Sequence, residues 1–345
     1  MNKKERLVAT LSGGKTDRPP VICPGGMMNM VVTELMKKYD IHWPDAHYDG
    51  EQMAGLAKAV VEEGLFDNYG VPFCMSVEAE SMGAEADMGC DSYEPHIKKC
   101  PMKSVDDLAA LRPMNFNEGR AKAVIDAVKL LKNDEIPVVG NVPGPVSIAT
   151  SLMDPSRFYV ALKRSPEAAH RLLTFVTEQA GRFALEQVRA GADIITIADP
   201  SGTGEILGPA YFKEYMVKYL NMMIGMIRTD RNVPVIVHIC GQMNMVFDEL
   251  KEVNASAFSF DAVVSLKAAK EHIGKPMMGN ISTYAIELSS PSRVRSMAKT
   301  SALLGSDIIA PACGLGLASP LENIRGIMEG IEDAEAAEAA RPQGE

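Results

Sequence analysis

A histidine and two cysteines in this 345-residue chain could do chemistry together. In "VPVIVHICGQ" an apolar run ends with His238 and Cys240 two residues apart, and Cys313 follows much later in "PACGLG". Side chains at i and i+2 of a strand point to the same side, so an imidazole and a thiol share the tip of one strand. If Cys313 stands on a neighbouring strand end, the set becomes two soft sulfurs and one nitrogen, which suits zinc. Three protein ligands leave a fourth position for water, a carboxylate or a substrate, as in catalytic rather than structural sites. No C-x-x-C pair is present to close a structural site. The plainer alternative is that these cysteines are small apolar core residues and the histidine a hydrogen-bonded one.

The elements that would position such groups are legible as an alternation. Short apolar runs at 19–25, 70–79, 136–142, 192–199, 233–240, 255–261, 275–281 and 306–312 predict eight strands. They carry little polar alternation, as expected of parallel strands covered on both faces. Amphipathic stretches between them predict crossover helices, such as 166–192 ending at Gly191, 209–230 opening with Pro209, and 290–305. Eight βα units without an internal linker predict an α/β fold, a TIM (β/α)8 barrel; a doubly wound open sheet would show the same alternation. Two long N-terminal insertions, around 27–65 and 80–120, are expected to form helices over the barrel mouth. One catalytic domain is expected over 1–331, with an acidic, Ala/Glu-rich tail at 332–345 as a frayed helical end.

Composition narrows the classes. A formal net charge of −10 and the lack of any basic run beyond Lys-Lys pairs argue against nucleic-acid binding. No apolar run approaches the length of a membrane span, and the N-terminus lacks the apolar core of a secretory signal, so a cytoplasmic protein is expected. Six scattered cysteines in a reducing compartment are core fillers, metal ligands or catalysts rather than disulfides. Chemistry in a barrel belongs at the C-terminal ends of strands. Those ends supply Met27 in "GGMMNM", Glu78 and Glu80 in "VEAESMG", Asn141 in "GNVPGP", Asp199 in "ADPSGTGE" and Asn280 in "GNIS".

These segments resemble the uroporphyrinogen decarboxylase superfamily, and within it the zinc-dependent methylcobamide:coenzyme M methyltransferases. The resemblance spans nearly the whole chain and rests on "KTDRPPVICPGGMMNM", "VPFCMSVEAESMGAEADMG", "ADPSGTGEILGPAYF" and "HICG…PACGLG". It implies a TIM barrel, Zn2+ held by His238, Cys240 and Cys313, and a methylcobamide (corrinoid) co-substrate brought by a corrinoid-carrying protein. It also implies a small thiol acceptor. From their strand-end positions, Glu80, Glu78 and Asp199 are candidates for a fourth ligand in the empty site or for an acceptor behind the ligands, Glu80 ahead of the others. Met27, Asn141, Asp199 and Asn280 are expected to border the corrin ring. One departure bears on the activity: the decarboxylases carry an Arg-rich segment after the opening "RPP", where this chain has "VICPGGMMNM" without an arginine. A tetrapyrrole polycarboxylate would find little cationic partner there. The alternatives are an enzyme demethylating a methyl ether, amine or methanol onto cob(I)alamin, a decarboxylase-like lyase, and a barrel that only binds a corrinoid or its carrier.

Overall fold

The structure, a computed structural model, describes residues 1–339. Strands β1 (Tyr69–Val71), β4 (Val138–Pro143), β5 (Ile194–Ala198), β6 (Val235–Ile239), β7 (Ala257–Phe260) and β8 (Met277–Met278) form one parallel sheet in that spatial order. β2 (Glu85–Asp87) and β3 (His96–Lys99) pair separately as an antiparallel hairpin. Two further segments close the sheet into a barrel. Ile22 N donates to Ile309 O at 2.9 Å and Ile309 N to Pro20 O at 2.9 Å, while Asp67 N donates to Val21 O at 2.7 Å. Single bridges join Val21 to Ile309, Met278 to Ile308 and Ile281 to Pro311. Prolines explain why these two segments bridge rather than zip: Pro19, Pro20, Pro24 and Pro311 have no N–H to give to a ladder.

Every residue of β4, β5, β6 and β7 is buried, in keeping with the unalternating apolar runs. The helix Pro166–Ala190 opens on a proline in its first turn, stops at Gly191, and buries a stripe that includes Leu172, Leu173, Val176, Ala180, Phe183 and Ala184. Two predicted strands are much shorter than expected. The run at 70–79 keeps only its first residues, because Pro72 cannot donate to β4 and the chain turns into a helix at Val77–Met82. The run at 275–281 keeps only Met277–Met278.

The insertions follow strand ends, although the helix Gly50–Glu62 of the first packs beside β1 and the helix Gly119–Leu131 packs as a crossover in the outer layer. The first carries the helices Thr33–Tyr39 and Gly50–Glu62, and the second also carries the β2–β3 hairpin, which the apolar pattern did not suggest. They are tied together: His42 Nδ1 lies 2.6 Å from Asp91 Oδ2, and Trp43 N donates to Asp91 Oδ1 at 3.2 Å. The last helix, Leu321–Ala339, packs on Pro291–Leu303, and Arg295 grips Asp333 through two bonds of 2.6 and 2.7 Å. The helix thus runs through the first part of the stretch expected to fray; positions 340–345 of that stretch lie outside the described residues. Among the described residues, no helix is long and apolar enough to cross a membrane.

Candidate metal centre at the barrel mouth

His238 lies on β6, fully buried, in register with Ser259 on β7. Parallel register points both side chains the same way, and His238 Nδ1 meets Ser259 Oγ at 2.9 Å. That contact occupies Nδ1 and turns Nε2 toward Cys240, whose Sγ is 3.2 Å away. Directly after Cys240 the chain turns at Gly241, with φ +77°, a conformation that side-chain-bearing residues seldom adopt. Cys313 arrives from the segment after Pro311. Its neighbour Gly314 passes so close to the opening loop that a Cβ there would sit 2.5 Å from the Met27 carbonyl oxygen. The two sulfurs are 3.7 Å apart, and the three donor atoms all lie within 4.8 Å of one another. The contact between the two sulfurs, with His238 beside them, pulls the Cys313 thiol down, while the same contact and burial push Cys240 up.

The carboxylates expected at this centre go elsewhere. Glu78 and Glu80 sit two residues apart on a helix, which turns them to nearly opposite sides. Glu80 is claimed by Arg120, whose Nη1 is 2.9 Å from its carboxylate, so it stands outside the three-donor cluster instead of completing it. Glu78 is fully buried with neither oxygen hydrogen-bonded, and burial pushes its carboxyl up to about 8. Asp199 is also fully buried: it accepts from Val146 N (3.0 Å), Ser147 N (2.8 Å) and Ser147 Oγ (2.6 Å). It therefore caps the helix Pro145–Leu152 and joins the ends of β4 and β5, rather than facing a cofactor.

Asn141 acts as an internal brace as well, its amide donating to Pro24 O at 2.7 Å and Val71 O at 3.0 Å. Asn280 is half-buried and donates to Asp261 O and Val264 O at 2.7 and 2.9 Å, holding the loop after β7. Met27 is half-buried beside Gly314, whereas Met28 and Met30 are wholly buried. Of the four residues expected to border a corrin ring, Met27 is the half-buried one whose backbone passes against Gly314, the neighbour of Cys313.

Several residues of this face were not singled out from the sequence. Ser259 orients the histidine; its signal was its place in "AFSF", opposite His238 once the strands are set in register. Glu94, from the hairpin, accepts from Asn29 Nδ2 at 3.2 Å near Cys313. Protein crowds its carboxyl, which desolvation raises to about 7, although the residue as a whole stays solvent-accessible. Trp43, His47, Cys74 and Arg120 form a buried polar group beyond the C-terminal end of β1, and nothing in their local sequence marks them.

Comparison with known proteins gives a consistent picture. The family model for uroporphyrinogen decarboxylase (URO-D) matches residues 2–333. The methylcobamide:CoM methyltransferase MtaA of Methanosarcina barkeri is 30% identical over 94% of this chain and 96% of its own. A methylated-thiol–coenzyme M methyltransferase of Methanosarcina mazei is 26% identical over 96% of this chain and 90% of its own. Among solved structures, a methyltransferase from Methanosarcina mazei superposes with a TM-score of 0.87 at 28% identity, covering 96% of this chain and 99% of the other.

Proposed function

The chain belongs to the uroporphyrinogen decarboxylase family, and from that premise we propose that it is a zinc-dependent methyltransferase that moves a methyl group from a methylated corrinoid to a small thiol such as coenzyme M. The observation that carries this reading is the triad of His238, Cys240 and Cys313, one nitrogen and two sulfurs within 4.8 Å of one another at the barrel mouth. Two sulfurs each about 2.3 Å from a tetrahedral zinc stand about 3.8 Å apart. The 3.7 Å between Cys240 and Cys313 fits that spacing, and Ser259 leaves His238 Nε2 free to be the third donor.

When bound there, zinc supplies a site where a substrate thiol ionises at neutral pH. A free thiol with a pKa near 8.5 is only about 3% ionised at pH 7, so full ionisation is worth at most about 30-fold in rate. The rest would fall to the protein, which would position the acceptor sulfur toward the methyl group of the corrinoid co-substrate. Two thiolates and a neutral imidazole bring a divalent ion to formal charge zero, so an incoming sulfur keeps its electron density. This donor set favours alkylation of sulfur over activation of water. Met27 borders the entrance, where the corrin of a carrier protein would lie. The opening loop has no arginine, and the preceding Arg18 is spent on Asp67 at 2.7 and 2.9 Å, which disfavours a tetrapyrrole polycarboxylate as substrate.

The test is to mix zinc-loaded protein anaerobically with methylcobalamin and coenzyme M and to follow the corrinoid spectrum. Thiol-dependent loss of methylcobalamin is expected. No thiol-dependent loss, even with a methylated corrinoid protein as donor, overturns the reading.

A further inference from the structure

Eight buried side-chain polar atoms among the described residues have no hydrogen-bond partner, and six of them belong to four residues: Trp43 Nε1, both ring nitrogens of His47, both carboxyl oxygens of Glu78 and Arg120 Nε. None of the four is more than 4% exposed. They form one group. The rings of Trp43 and His47 stand 4.6 Å apart, and the charge of Arg120 is felt at both His47 and Glu78. Arg120 is anchored by its other nitrogens to Cys74 Sγ (2.6 Å), Ser76 Oγ (3.1 Å) and Glu80 (2.9 Å). Buried polar atoms are rarely left unpaired, and six on four neighbouring residues point to a polar chamber whose partner the protein itself does not supply.

The character of the chamber follows from its donors. Indole and guanidinium N–H groups can only donate, and a neutral imidazole donates once. Burial keeps His47 neutral and keeps Glu78 protonated below about pH 8, which adds an O–H donor. Such a set suits several acceptor oxygens carrying a negative charge. Cys74, on the wall of this chamber, follows the C-terminal end of β1, and Cys313 follows the C-terminal end of the last barrel segment, so both sites lie at the mouth end of the barrel.

We propose that this chamber binds the acidic end of the acceptor thiol, a sulfonate or carboxylate; the assignment rests on the thiol-methyltransferase reading above. Trp43 is the chain's single tryptophan, so its fluorescence reports on the chamber directly, whether or not turnover occurs. Coenzyme M and the sulfur-free ethanesulfonate are expected to change that fluorescence saturably and in competition, and 2-mercaptoethanol is not. In His47→Phe, and in the milder His47→Asn should the first fail to fold, KM for coenzyme M is expected to rise roughly tenfold more than KM for 2-mercaptoethanol, as for the loss of one charge-assisted hydrogen bond.

Equal rises for the two thiols, or no saturable fluorescence change, overturn the proposal. Ethanesulfonate that binds without displacing coenzyme M overturns it as well, by marking an anion site separate from the substrate. Sulfonate binding at Trp43 without any methyl transfer overturns the function and removes the assignment to a thiol substrate. Transfer that ignores the acidic group overturns this inference alone.

Discussion

Replacing Ser259 with alanine separates a metal-ligating His238 from an ordinary core histidine. Ser259 Oγ, 2.9 Å from Nδ1, holds a ring that is fully buried and therefore has no water to turn to. Leaving a buried nitrogen unpaired costs about 1–3 kcal/mol of stability. Losing the group that orients a ligating imidazole weakens metal binding by about 10- to 100-fold. At zinc a hundredfold above Kd, bound metal stabilises the fold by about 2.7 kcal/mol; a tenfold weaker site leaves about 1.4. Ser259→Ala is therefore expected to lower the melting temperature without metal and to lower it further when zinc is present. Competition with a chelator measures the affinity, and calorimetry with and without zinc measures the coupling. An unchanged zinc affinity, with the same metal-dependent rise in melting temperature as the wild type, would refute the role assigned to Ser259 and weaken the case for His238 as a ligand.

Other expectations concern the same face of the barrel. Cys313→Ala is expected to abolish stoichiometric zinc retention and methyl transfer while far-UV circular dichroism stays that of the folded barrel; a variant that holds zinc normally would exclude Cys313 as a ligand. Gly314→Ala drives a Cβ against the Met27 carbonyl and is expected to cost about 1–3 kcal/mol, seen as a lower denaturation midpoint. Glu78 has its folded pKa raised to about 8, so its contribution to stability is fully present below the unfolded value near 4.5 and is lost as pH rises through 8. Glu78→Gln, which resembles the protonated acid, is expected to remove at least about 1 kcal/mol of the wild-type decline between pH 5 and pH 8.5, read from urea midpoints. An identical decline in both proteins would show that Glu78 is not the titrating group.

The barrel was readable because its strands are buried on both faces, and their uninterrupted apolar runs survive in one dimension. His238 and Cys240 were readable for a related reason: two donors at i and i+2 of a strand are neighbours whatever the rest of the chain does. Cys313 could be placed at a strand end, but its approach to Cys240 depends on ring closure. The carboxylates illustrate the limit. Taking 70–79 as a strand put Glu78 and Glu80 at its tip, whereas the helix that begins at Val77 turns Glu80 to Arg120 and Glu78 into the interior. Asp199 and Asn141 sit where strand ends were expected, yet Asp199 is taken up by the first turn of the helix Pro145–Leu152 and Asn141 by backbone carbonyls of neighbouring barrel segments, which no local pattern reveals. Ser259, Trp43, His47 and Arg120 matter through what lies across from them, and that information is wholly tertiary.

The first and last barrel segments meet through single bridges, Val21 with Ile309 among them, so closing the ring brings together ends nearly 300 residues apart. Cys313 lies just past that junction, while His238 and Cys240 belong to one strand and become neighbours as soon as it forms. The third donor arrives with the last segment, which bridges both β8 and the opening segment, so closure completes its placement. On the proposed function, metal capture becomes a timer for assembly: a refolding chain gains tight zinc binding at the moment its two ends join, and bound zinc then opposes their separation like a clasp.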